Sequence, residues 1–193
     1  MAATPTVRKN DLKPLPADQA ATATHAPFAT GECDLCHQNK DPKNPGPITR
    51  TGNALCLECH EDFQQVMARK YGHAAVSNSC VSCHNPHNSK EVKLLVEYTT
   101  TLCLSCHEKI KTLMLDSPVK HDALTQGKQC VGCHNPHAAN VEHLLIQLPK
   151  PLCLSCHDKN NVVDHAGKKL INMKKFLEAN PRHHGPVDAG DCS

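Results

Sequence analysis

The 193-residue sequence has no Trp, two Tyr and three Phe. Large aromatic side chains are therefore too scarce to fill the interior that a chain of this length ordinarily buries. No stretch approaches the roughly 18 apolar residues of a membrane-spanning helix, so none is expected. The opening segment MAATPTVRKNDLKPLP lacks the apolar run of an export signal. No run alternates apolar and polar residues convincingly, which argues against a sheet-rich fold. Charge of one sign is also missing, with 21 Lys and Arg against 19 Asp and Glu. The short basic stretch around Lys168, Lys174 and Lys175 carries no recognition motif, so it is read as a solvated face and not as a nucleic-acid site. What the sequence has instead is 13 Cys and 15 His, far above globular usage.

These residues are ordered. Cys-x-x-Cys-His occurs six times, at Cys33–His37, Cys56–His60, Cys80–His84, Cys103–His107, Cys130–His134 and Cys153–His157. The copies come in pairs, and 19 residues always separate the second Cys of one motif from the first Cys of its mate: Cys36 to Cys56, Cys83 to Cys103, Cys133 to Cys153. The second and third pairs also share their filling, CVSCHNPHNSKEVKLLVEYTTTLCLSCH against CVGCHNPHAANVEHLLIQLPKPLCLSCH. The first pair keeps the spacing but replaces His-Asn-Pro-His with a run beginning His37-Gln-Asn-Lys-Asp-Pro. A histidine precedes each pair, His25 by 8 residues, His73 by 7 and His121 by 9. The pattern restarts at HHGPVDAGDCS, where His183 and His184 precede Cys192 by 9 and 8. Cys192 is accordingly read as the opening residue of a seventh motif that this sequence does not complete; a free or intermolecular thiol is the alternative.

Self-similarity of this kind sets the organisation before any secondary structure is considered. It gives an extended or disordered arm over 1–24, a first pair over 25–72, a second over 73–120, a third with a C-terminal helix over 121–182, and the start of the seventh motif over 183–193. Short amphipathic helices are expected where Phe63, Val66, Met67 and Tyr71 recur, at Ile110, Leu113 and Met114, and at Leu170, Met173, Phe176 and Leu177. Pro-rich joints over 41–47 and 116–121 separate them. The fold class is therefore mostly irregular, short α-helices with little or no β, wrapped around something other than side chains.

On one helical turn, cysteines at i and i+3 and a histidine at i+4 project from one face. Two thiols can then form thioethers with haem vinyl groups while the imidazole reaches the iron, which is the chemistry of Cys-x-x-Cys-His. The covalent anchors are Cys33, Cys36, Cys56, Cys59, Cys80, Cys83, Cys103, Cys106, Cys130, Cys133, Cys153 and Cys156, and the proximal ligands His37, His60, His84, His107, His134 and His157, for six haems c. The pair spacing also falls in the range of four-cysteine zinc ribbons, but zinc has no use for a histidine after every second cysteine. A disulfide framework leaves the histidines equally unexplained.

Haem iron has a second axial position. Nine histidines remain for it: His25, His73, His87, His121, His137, His143, His165, His183 and His184. His87 and His137 lie three residues beyond a proximal histidine on the same turn, so they are assigned to a neighbouring haem, the second of their own pair. His25, His73 and His121 have enough chain to fold over the haem that follows, the first of their own unit. The haem of His60 is then left without a partner, and His165 is assigned to it, with His143 as second choice. His143 aligns with Lys93 and otherwise reads as a surface histidine. His183 or His184 belongs to the unfinished unit. Met67, Met114 and Met173 share helical spacing with apolar neighbours and read as packing residues, not ligands.

The runs His73–His107 and His121–His157, with histidine, Cys-x-x-Cys-His-x-Pro-His, Leu-Leu and Leu-Cys-Leu-x-Cys-His in order, resemble the doubled Cys-x-x-Cys-His motif family of multihaem cytochromes. The resemblance implies a haem wire with little regular secondary structure. It also implies redox partner proteins: donor and acceptor cytochromes, or a quinol dehydrogenase or porin complex. At about 32 residues per haem the polypeptide forms only a thin coat, with Leu94, Leu95, Leu102, Leu144, Leu145 and Leu152 against the porphyrins. Bis-histidine ligation leaves no open site, so electron transfer without substrate chemistry is expected. The alternatives are a reductase with an open haem at His60 and a structural subunit that self-assembles into a filament. The formal charge of +2 falls to about −4 once six ferric bis-histidine haems each add about −1 through their propionates. Thioether attachment places the protein in the cell envelope or outside it, with its export signal removed from this sequence.

Overall fold

The computed structural model describes residues 12–164 and 166–192. In chain order its elements are β1 (Ala23–Thr24), α1 (Ala26–Ala29), α2 (Asn53–Leu57), α3 (Asp62–Met67), β2 (Tyr71–Gly72), α4 (Ala74–Asn78), β3 (Asn88–Ser89), α5 (Thr99–Leu104), α6 (Glu108–Asp116), β4 (Ala138–Ala139), α7 (Pro149–His157), α8 (Met173–Ala179) and α9 (Gly185–Asp188), with 3-10 turns between them. The chain is mostly irregular, with short helices and two-residue strands. The helices are short because their sequences stop them early. In α1, Pro27 suits a first turn, while Gly31 at φ 73° ends it in a left-handed conformation.

The described residues fall into two compact units. The first contains the chain up to Met67 together with His73–Ser117, so it holds the first two motif pairs; the second contains Ala68–Gly72 and the chain from Pro118 onward, with the third pair. The grouping is by two and one, whereas the repeats alone suggest three segments. In the first unit β1 pairs antiparallel with β3, Ala23 opposite Ser89 and Thr24 opposite Asn88. In the second, β2 pairs with β4, Tyr71 opposite Ala139 and Gly72 opposite Ala138. Tyr71 is thus a strand residue, and the helix predicted to reach it ends at Met67. Leu170 likewise lies outside α8; its N–H donates to Val162 O at 2.8 Å, and the helix starts only after Asn172, whose side chain accepts from Lys175 N. The arm is tied down over 12–24: Leu15 N donates to Asn88 Oδ1 at 2.7 Å and Thr22 N to Ser89 O at 2.8 Å. The remainder of the arm, 1–11, lies outside the described residues.

Side chains alone make almost no interior. Among the described residues only Ala138 and Ala139 are buried apolar residues and only Asn85 and Ser89 buried polar ones. Leu94, Leu95, Leu102, Leu144, Leu145 and Leu152 are half-buried, and Ile110, Leu113 and Phe176 of the helical stripes are exposed. An apolar stripe of that kind normally packs against something. Ala138→Leu adds volume at the tightest packed position of the second unit, 1% exposed. It is expected to lower stability by about 1–3 kcal/mol, whereas Val119→Ala, at 80% exposed, changes it by less than about 0.5 kcal/mol in the same denaturant titration.

Candidate metal centres

Each Cys-x-x-Cys-His forms one helical turn. The His N–H donates to the carbonyl of the first Cys, at 2.8 Å for His37, 3.1 Å for His60, His84 and His107, and 3.0 Å for His134; the sixth turn closes α7 at His157. Two thiols and an imidazole therefore share a face at every motif. None of the thirteen cysteines is tied up in a disulfide.

The first proximal histidine of each pair is clamped in the same way. His37 Nδ1 lies 2.9 Å from Gly46 O, His84 Nδ1 2.8 Å from Lys93 O, and His134 Nδ1 2.8 Å from His143 O. A carbonyl can only accept, so Nδ1 carries the proton and Nε2 presents its lone pair outward, as a metal-ligating imidazole requires. The accepting carbonyl is always nine residues downstream, on a residue with positive φ: Gly46 at 71°, Lys93 at 58° and His143 at 57°. The left-handed turn brings the strand back, and bridges His37–Ile48, His84–Leu95 and His134–Leu145 close it. His143 therefore acts through its backbone. The contact made at His143 is through its carbonyl. Nothing in the residue type at 143 shows this, but its alignment with a glycine in the first unit does.

Among the described residues, four imidazole pairs involve proximal rings. His37 pairs with His87 at 6.1 Å between ring centres and 13° between planes, His60 with His25 at 6.1 Å and 18°, His107 with His73 at 6.0 Å and 18°, and His157 with His121 at 6.1 Å and 25°. With a metal–nitrogen bond of about 2 Å and each ring centre roughly 1.1 Å behind its nitrogen, imidazoles on opposite sides of one iron have centres about 6.2 Å apart. The spacing fits a single bridging metal ion. Two imidazoles are too few for tetrahedral zinc but match the two axial positions of haem iron, and no cluster of three or more His, Cys, Asp or Glu converges on a metal-ion cage among the described residues.

These pairs differ from the ones that spacing suggested. His25, His73 and His121 face the second proximal histidine of their unit, not the first, and His87 faces His37 of the preceding pair, not His107 of its own. His60, expected to lack a partner, has His25 opposite it. His165 lies outside the described residues. The backbone N–H of His137 donates to the Asn135 side chain, at 3.0 Å from Oδ1. No second imidazole is paired with His134 among the described residues. In His183 both ring nitrogens are used, Nδ1 at 2.8 Å from Asp188 Oδ1 and Nε2 at 3.0 Å from Leu177 O, and these two acceptors hold its pKa above the usual histidine range.

Local structure explains the aim of the facing rings. His25, His73 and His121 each occupy the residue before a short helix, in extended conformation, so the ring leaves the turn sideways. The β1–β3 pairing, with His25 N donating to His87 O at 2.8 Å, sets His25 and His87 side by side. Asn85, 5% exposed, accepts from His87 N through Oδ1 at 3.0 Å and donates through Nδ2 to Lys13 O at 3.0 Å. His87 Nδ1 lies 2.8 Å from Leu12 O, Phe28 packs edge-on at 5.2 Å, and burial pushes its imidazolium form down.

The anchoring cysteines also adjoin one another. Burial raises the Cys36 thiol, and the charges of Cys56 and Cys59 raise it further. A hydrogen bond from Cys80 draws Cys56 down to about 6, and Asn53 Oδ1 accepts from Cys80 N at 2.9 Å. Burial and then Cys106 raise Cys83; burial and then Cys156 raise Cys133. Within the first unit the four anchors therefore follow one another in chain order, and in the second unit the fifth adjoins the sixth.

The family model for the doubled CXXCH motif matches residues 25–65, 73–112 and 121–162. The chain belongs to this family of multihaem c-type cytochromes. Each match opens on the histidine that faces the second proximal ligand of its repeat: His25, His73 or His121. Membership makes this cytochrome a haem c protein of electron transfer. No curated protein matches the chain. No helix among the described residues is long and apolar enough to cross a membrane.

The carbonyl clamp can be tested by substitution. Gly46→Ala holds an L-residue at φ 71° with its Cβ 3.1 Å from Asn39 Nδ2, and is expected to cost about 1–2 kcal/mol. Lys93→Gly and His143→Gly relieve that same conformational cost and should change stability by less than about 1 kcal/mol in guanidinium unfolding of the haem-loaded cytochrome.

Proposed function

We propose that this cytochrome binds six haems c and passes electrons along them in chain order, without transforming a substrate. The four imidazole pairs at 6.0–6.1 Å carry this reading. When bound, each haem supplies a one-electron ferric–ferrous couple. The chain's own residues do the rest. The twelve motif cysteines fix the macrocycles covalently, and the Nδ1 clamps fix the rotation of His37, His84 and His134. His87, His25, His73 and His121 fill the opposite axial positions at His37, His60, His107 and His157, leaving no exchangeable site there. Consecutive anchors such as Cys36 and Cys56, or Cys56 and Cys80, lie side by side, so consecutive haem edges are held close. The exposed leucine and isoleucine faces then have porphyrin to pack against, and lysines have propionates to pair with.

This reading makes the chain a carrier, not an enzyme, and the facing of His25 against His60 removes the particular reason for suspecting an open site at His60. Its donor and acceptor are other redox proteins of the cell envelope or exterior, where thioether bonds to haem are formed. Intact mass and the haem-to-chain ratio test it directly: six haems per chain are expected, and fewer than six, or zinc in place of iron, would overturn it. Ligation is tested by His25→Ala, which is expected to turn one ferric haem from low-spin to high-spin in electron paramagnetic resonance. His25→Met should instead raise the potential of one haem, and a spectrum unchanged by either substitution would refute the pairing of His25 with His60.

A further inference from the structure

The segment His184–Cys192 repeats His25–Cys33 hydrogen bond for hydrogen bond. In the first copy Ala29 N donates to His25 O, Thr30 N to Ala26 O, Gly31 N to Phe28 O and Glu32 N to Pro27 O, at 2.9, 3.1, 3.2 and 2.9 Å. In the second, Asp188 N donates to His184 O, Ala189 N to Gly185 O, Gly190 N to Val187 O and Asp191 N to Pro186 O, at 3.2, 2.9, 3.1 and 2.8 Å. His25 and His184 have φ/ψ of −69°/135° and −63°/141°, and the glycines two residues before the cysteines have φ of 73° and 81°. The sequences HAPFATGEC and HGPVDAGDC agree at His, Pro, Gly and Cys. At its far end Cys192 neighbours Cys153, the first cysteine of a second motif: burial and then Cys192 raise the Cys153 thiol. The same geometry therefore continues past the sixth motif.

We propose that His184 is an axial haem ligand, and that the iron it serves belongs to a c-type haem other than this molecule's own six. This rests on the six-haem reading above. The three histidines with this cap geometry, His25, His73 and His121, face proximal histidines 35, 34 and 36 residues further on, and the six motifs of this sequence provide none at that distance from His184. His184 is exposed, and its neighbour His183 has both ring nitrogens engaged, so the geometry selects His184 of the two. The outside haem is either carried by a second copy of this chain or by a different polypeptide segment; the chemistry recognised, a haem iron with one histidine and one open axial position, is the same.

The test uses the haem-loaded protein of residues 1–193 on a Cys192→Ser background, so that no disulfide forms. The probe is a ferric haem peptide with a single histidine ligand and water in the sixth position. One equivalent of probe is expected to turn low-spin on the parent and on His183→Ala. On His184→Ala its affinity should fall by roughly tenfold or more, since loss of even an outer-shell partner costs that much metal affinity. Sedimentation without probe separates the sources: concentration-dependent association abolished by His184→Ala identifies a second copy as the haem donor, and a monomer that still binds the probe through His184 identifies a segment outside this chain. Probe binding and association both indifferent to His184→Ala would overturn the inference. Since haem content is measured on the same sample, six haems with no effect of His184 sinks this inference alone, whereas fewer than six sinks the reading on which it rests.

Discussion

Two imidazoles held about 6 Å apart, across a space of the size one iron ion would fill, set the terms for the whole structure. A side chain that must meet another at a fixed distance and near-parallel orientation cannot be left to rotamer choice, and nearly every local feature of the fold serves that constraint. The left-handed residues Gly46, Lys93 and His143 turn a carbonyl onto an Nδ1. The extended caps at His25, His73 and His121 throw rings outward, and Asn85 fixes the backbone of His87. Non-glycine residues at positive φ cost energy, and their recurrence at the same offset shows what the cost maintains: an Nδ1–carbonyl contact that leaves Nε2 outward.

The imidazole pairs also cross repeats. His87 sits in the second repeat and faces His37 in the first, with β1 and β3 joining the two backbones beside it. A repeat cut out at its sequence boundaries would lose that facing ring, in keeping with the first two motif pairs forming one compact unit. Solenoid proteins couple neighbouring repeats through apolar faces; here the coupling passes through facing imidazoles, hydrogen bonds and adjoining cysteines. Buried apolar residues are limited to two alanines among the described residues, so side chains alone supply little of the hydrophobic term that ordinarily drives folding. The segment 184–192 repeats the turn that opens the first motif pair.

The six Cys-x-x-Cys-His turns, their three pairs and the scarcity of conventional core were legible in the amino-acid sequence, because the motif turn is a local matter. Five residues on one helical turn suffice to present two thiols and an imidazole, and no distant part of the chain is consulted. Helical stripes at 63–67, 110–114 and 173–177 were legible for the same reason. Which histidine faces which was decided by the tertiary structure. Chain reach allows His25 to meet either His37 or His60, and His87 to meet either His37 or His107. The choice is made by β1 lying against β3, and that pairing joins residues more than 60 positions apart. The role of the carbonyl at 143, hidden behind a histidine side chain, was likewise settled by a backbone turn that residue type does not encode. The sequence determined the family of this cytochrome and the local motif turns, since those depend on contacts within five residues; the fold alone determined which histidine faces which, since that depends on directions fixed across repeats.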